Sequence, residues 1–162
     1  MTAMEQKLEQ IRDSILLDHR KGRPIDTPDL SRYPDKATVI GLVEKLLGLV
    51  FPGFAYNRTG RNYHDGHSLY LRIEDVLFDL REQIKLALRS TMEEQEAQDR
   101  AQAISLEFLE QLPQLRSVVQ TDVEAAFDGD PAASGADEII LCYPGLFAVT
   151  VYRLAHILYE LQ

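Results

Sequence analysis

Apolar positions recur along the chain every three or four residues, which is the spacing of helices and not of strands. Met4, Leu8, Ile11 and Ile15 form one stripe with Glu5, Glu9, Arg12 and Asp13 outside it, so residues 4–20 read as a first helix. KGRPIDTPDLSRYP, with one Gly and three Pro, breaks that pattern. Residues 35–51 form a second apolar helix, mildly weakened by Gly41 and Gly48. A loop, PGFAYNRTGRNYHDGHS, follows. Residues 68–89 carry Ile73, Val76, Leu77, Leu80, Ile84, Ala87 and Leu88 on one face, with Ser68 placed to cap the helix. Residues 92–127 open on the acidic run EEQEAQD, favourable at a helix N-terminus, and turn Ala101, Ile104, Phe108, Leu112, Leu115 and Val119 inward. Pro113 should kink or split this region near Leu112. DGDPAASG is the next break, and a short helix over 136–143 precedes the last one.

That last helix is apolar around most of its circumference. Phe147, Val151, Leu154, Leu158 and Leu161 share one side; Leu146, Val149, Tyr152, Ala155 and Tyr159 share the other. Only Thr150, Arg153, His156 and Glu160 make a polar stripe. Such a helix expects cover on more than one side. No Gly or Asn cap, basic last turn or Pro marks its end, so it is expected to lead into further chain. No alternating strand and no repeat of 20–50 residues interrupts the series. The expected fold is all-α, a bundle of about six to eight helices.

Composition narrows the function classes. With 45% hydrophobic and 27% charged residues, the 162-residue chain is a folded globular one. Its net charge of −9, from 26 acidic against 17 basic residues, argues against nucleic acid or an anionic membrane as the main partner. The single cysteine excludes an intrachain disulfide and suits a reducing cytoplasm. No apolar signal core opens the chain, and no apolar run reaches the roughly 20 residues of a membrane span. A cytoplasmic protein is the expectation.

Few residues offer chemistry. His64, Asp65 and His67 in YHDGH are the one compact metal-like cluster, but a catalytic zinc site needs a third fixed ligand and the loop reads more simply as a solvated turn. Cys142, between Leu141 and Tyr143 with no adjacent base, reads as a small buried hydrophobe. The acidic residues of 93–99 read as a solvated helix face. Arg153, His156 and Glu160 are spaced to support one another along a helix. Asp130-Pro131 has two readings: an N-cap followed by Pro at the first helical position, or a carboxylate facing a positively charged ligand.

Asp130-Pro131-Ala132-Ala133, DEIILCYPG at 137–145 and YRLAH at 152–156 together resemble the N-terminal helical domain of bacterial serine O-acetyltransferases. The resemblance implies transfer of acetyl from acetyl-CoA to the hydroxyl of L-serine, the committed step toward cysteine. It implies a helical domain over residues 1–162, with a bundle over 1–127 and the Asp-Pro motif with its helices over 128–162. A left-handed parallel β-helix of hexapeptide repeats, holding the catalytic histidines and the acetyl-CoA groove, would follow beyond Gln162. By residue match Asp130 would contact the substrate serine, and His156 would be structural. No catalytic, cofactor-binding or metal-binding residue is then expected here, and acetyl-CoA would be a co-substrate of the full-length enzyme. The implied partners are further copies, as a trimer or dimer of trimers, and cysteine synthase through the absent C-terminus. The rival readings are a non-catalytic helical interaction module and a metal-binding bundle resting on His64 and His67.

Overall fold

The computed structural model describes residues 3–23, 33–54 and 66–162, and every regular element among them is a helix. In chain order these are α1 (Ala3–His19), α2 (Lys36–Val50), α3 (Gly66–Leu88), α4 (Glu94–Glu110), α5 (Leu112–Gly129), α6 (Ala136–Cys142) and α7 (Pro144–Glu160). The chain divides into two compact units, residues 1–32 and 33–162. In the first, α1 ends where Asp18 receives Lys21 and Arg23. Within that unit no second described helix covers the stripe of Met4, Leu8, Ile11 and Ile15.

In the second unit, Asp35 caps α2 by accepting from both the amide and the hydroxyl of Thr38 at 2.7 Å, which holds its carboxyl below the ordinary range. The Asp35 amide in turn donates to Gln83 Oε1 of α3 at 2.9 Å. Lys45 of α2 bridges Asp75 and Asp79 of α3. Helix α3 packs on α4, and Pro113 splits the following region as expected: α4 stops at Glu110 and α5 restarts at Leu112 with the proline in its first turn. Ser68 is not a cap, because α3 already begins at Gly66.

The expected inward face of α4 and α5 is buried at Ala101, Ile104, Phe108, Leu112, Leu115 and Val119. Of these, Phe108, Leu112, Leu115 and Val119 join Leu42, Leu46, Leu49 and Val50 of α2, Val76 and Leu80 of α3 and Leu154 of α7 in the main core. A second, smaller core gathers Val123 of α5, Ile139 of α6 and Leu146 of α7, with Ala133 and Tyr143 packed against it. Fully burying side chains of this size is worth roughly 1.5–3 kcal/mol each. This smaller core is the floor under the Asp-Pro turn.

Helix α7 departs from its expected faces. Its buried row is Leu146, Thr150 and Leu154, at successive i+4 positions, while Phe147, Val149, Tyr152 and Tyr159 are exposed. One side is covered, not two. Thr150 therefore leaves the polar stripe for the core, because the leucines one turn before and after it turn that row toward α4, α5 and α6.

Candidate functional site

Asp130 stands where α5 ends, with extended backbone at φ −121° and ψ 99°. The expected N-cap contacts form, but over one turn that no helix continues. Pro131 and Ala132 make a turn, not the first residues of a helix. The Asp130 carbonyl accepts from the Ala133 amide at 3.0 Å, and its Oδ1 accepts from the Ala132 amide at 2.9 Å. This side-chain turn satisfies the backbone locally and offers an alternative to helix, which is why the Asp-Pro pair punctuates rather than initiates.

The other carboxylate oxygen is held from a distance in sequence. Tyr143, at the junction of α6 and α7, donates its hydroxyl to Asp130 Oδ2 at 2.5 Å. That length is typical of O–H to a carboxylate, among the stronger hydrogen bonds in proteins. The Tyr143 hydroxyl and then the Ala132 amide keep the Asp130 carboxyl below the ordinary carboxylate range. The same bond, together with partial burial, pushes the Tyr143 hydroxyl up to about 12. Both residues are half-buried, so the carboxylate is fixed yet reachable. A carboxylate has about four acceptor positions, and the described residues take up two of them here.

The rest of the turn is braced. Glu138 in the first turn of α6 accepts from the Ser134 amide at 2.8 Å and from its hydroxyl at 2.5 Å. These bonds hold Glu138 below its usual range. Farther along the same helices, Arg153 of α7 grips Asp122 of α5 with two bonds of 2.7 Å, in the fork geometry that suits a carboxylate. Arg153 is thus spent on α5 and does not join His156 and Glu160. His156 is exposed, stacked between Tyr152 and Tyr159 at ring separations of 5.9 and 6.3 Å, with Glu160 at 3.8 Å.

Cys142 corrects the sequence expectation. It is exposed, because Ile139 and Tyr143 take the inward positions of the short α6 and its junction. His64 and Asp65 lie outside the described residues, and His67 falls in the first turn of α3. The acidic residues from Glu93 to Asp99 are exposed as expected. What sequence reasoning missed is the partnership of Asp130 with Tyr143, separated by 13 residues, and that of Asp122 with Arg153, separated by 31. Neither has a local signature.

A segment of 61 residues is 46% identical to a plasmid-borne serine acetyltransferase of Synechococcus elongatus, covering 38% of this chain and 19% of that protein. A second match, 48% identical over 44 residues, is to serine acetyltransferase of Mycobacterium tuberculosis, covering 27% and 19%. Serine acetyltransferase isoform 3 of Entamoeba histolytica, solved in complex with cysteine, superposes with a TM-score of 0.61 at 26% identity over 96% of this chain. The similarity is to the helical part of serine acetyltransferases. No family model matches the chain. The matches cover about a fifth of the curated serine acetyltransferases and about half of the solved one's chain. No single helix among the described residues is long and apolar enough to cross a membrane.

Proposed function

We propose that this chain is the helical, serine-contacting part of a serine O-acetyltransferase, an enzyme that makes O-acetylserine from L-serine and acetyl-CoA. In that reaction the serine hydroxyl loses its proton to a base, its oxygen attacks the thioester carbonyl, and the C–S bond breaks to release CoA. The base, the oxyanion donors and the acetyl-CoA groove belong to a β-helix domain outside residues 1–162. Asp130 contributes at the other end of the substrate, where a carboxylate pairs with the α-ammonium and so aims the hydroxyl. The observation that carries this reading is the fixed, half-buried, ionised Asp130 with acceptor positions to spare, in a stretch resembling the family motif. The relative's complex with cysteine supports a site for an α-amino acid, since cysteine and serine present the same ammonium.

The test is Asp130→Asn in the enzyme that contains this chain. The amide keeps an acceptor for Ala132 but loses the charge, and with it the charge-assisted bond to the ammonium. Serine kcat/KM should fall about 10–150-fold while the KM for acetyl-CoA stays within about two-fold. Near-normal serine kinetics in a well-folded variant would leave Asp130 a turn residue only. We further propose that the exposed face of α7 carrying Val149, Tyr152 and Tyr159 serves assembly with further copies, since soluble monomers rarely leave large apolar patches open.

A further inference from the structure

We propose that Tyr143 is a positioning residue for serine: its hydroxyl fixes the Asp130 carboxylate in the orientation that receives the substrate ammonium. The inference rests on the reading of Asp130 as the serine contact and extends it to a residue which that reading does not require.

Three observations carry it. The first is the bond itself, from Tyr143 Oη to Asp130 Oδ2 at 2.5 Å, which together with the Ala132 amide on Oδ1 ties down both carboxylate oxygens. An aspartate at the end of a helix with a single partner can still turn about its side-chain bonds; one held through both oxygens from two directions is pre-organised. The second is how Tyr143 is placed. It sits at the break between α6 and α7, and its ring packs against the core of Val123, Ile139 and Leu146. The donor is therefore anchored on the same core that carries the Asp-Pro turn through Ala133. The third is chemical. A neutral hydroxyl donor keeps Asp130 ionised without cancelling its charge, whereas an Arg or Lys in that place would compete with the ammonium.

The alternative is that Tyr143 only packs, with its hydroxyl bonded because a half-buried phenol finds a partner. Tyr143→Phe in the enzyme containing this chain separates the two, because it keeps the ring and removes one oxygen. If the hydroxyl positions Asp130, serine kcat/KM falls about 3–10-fold, with the loss mainly in the serine KM. The acetyl-CoA KM stays near wild type, and the melting temperature falls only by what the one hydrogen bond contributes. On an Asp130→Asn background the same change costs less than about two-fold, since the carboxylate it would position is gone. Tyr143→Leu, which loses ring and hydroxyl together, lowers the melting temperature as well and marks the size of the packing effect.

Normal serine kinetics in Tyr143→Phe, beside an impaired Asp130→Asn, overturn the role of Tyr143 and leave the substrate reading standing. A full additional loss on the Asp130→Asn background also overturns it, because the tyrosine would then act by another route. Normal kinetics in Asp130→Asn itself sink the substrate reading, and the role of Tyr143 falls with it.

Discussion

Tyr143 keeps its proton and donates it to the Asp130 carboxylate, and each partner has a titration that can be followed. Asp130 is depressed from the ordinary 3.8 chiefly by the Tyr143 hydroxyl. Its contribution to stability is thus present above that ordinary value and lost as pH falls through its own lower midpoint. Carbon-13 NMR of the Asp130 carboxyl should show a midpoint below 3.8 that climbs back in Tyr143→Phe. A midpoint unmoved by the substitution would mean the hydroxyl is not its partner. Tyr143 runs the other way. Raised from 10.0 to about 12, its contribution is intact below 10 and lost as pH rises through 12. Among the seven tyrosines, one phenolate should appear late in an ultraviolet titration and move earlier in Asp130→Asn. Thr150 offers a test of another kind. Its side chain is fully buried and its hydroxyl has no hydrogen-bond partner among the described residues. Thr150→Val removes an unpaired polar atom at nearly constant shape and should stabilise the fold by about 1 kcal/mol in urea unfolding. A loss of stability would reveal that the hydroxyl has a use.

Among the helices, arginines do much of the joining. Arg116 of α5 donates to the carbonyl of Val50, the last residue of α2, at 3.1 Å, and Arg100 of α4 donates to the carbonyl of Leu161 at 2.6 Å. Both satisfy acceptors that a helix end leaves open. Arg153 with Asp122 ties α7 to α5. Arg153→Lys keeps the charge and loses the fork, so it should cost about 0.5–1 kcal/mol, discounted for a pair that is partly exposed. A urea midpoint equal to wild type would show the second bond to be idle. The helices themselves were legible because period and breakers agree: the Ala101–Val119 face and the split at Pro113 both appear where the pattern puts them. Side-chain destinations were less legible. Thr150 is polar by type but sits in a row of leucines, and Cys142 is apolar by type but sits on the outer side of a seven-residue helix. Periodicity finds an amphipathic face; it does not say which of two apolar faces a neighbouring helix will take.

At the scale of the whole molecule, the Asp130-Pro131 pair was legible as a break with two readings, between which the family resemblance chose, but its tether to Tyr143 was not, since that contact exists only once α6 packs on α5. The exposed row on α7 should have a consequence in solution. Light scattering of residues 1–162 should give a mass above that of one chain, and Tyr152→Glu together with Tyr159→Glu should reduce it. A single-chain mass at every concentration would remove the assembly role. The central claim is that Asp130 reads the ammonium of serine. It is tested most directly by comparing L-serine with 3-hydroxypropanoate, which keeps the hydroxyl and carboxylate but lacks the ammonium. The enzyme containing this chain should prefer serine strongly, and Asp130→Asn should shrink the ratio of the two kcat/KM values by about 10–150-fold. A ratio left unchanged by Asp130→Asn, in a variant with a normal melting curve, would contradict the claim.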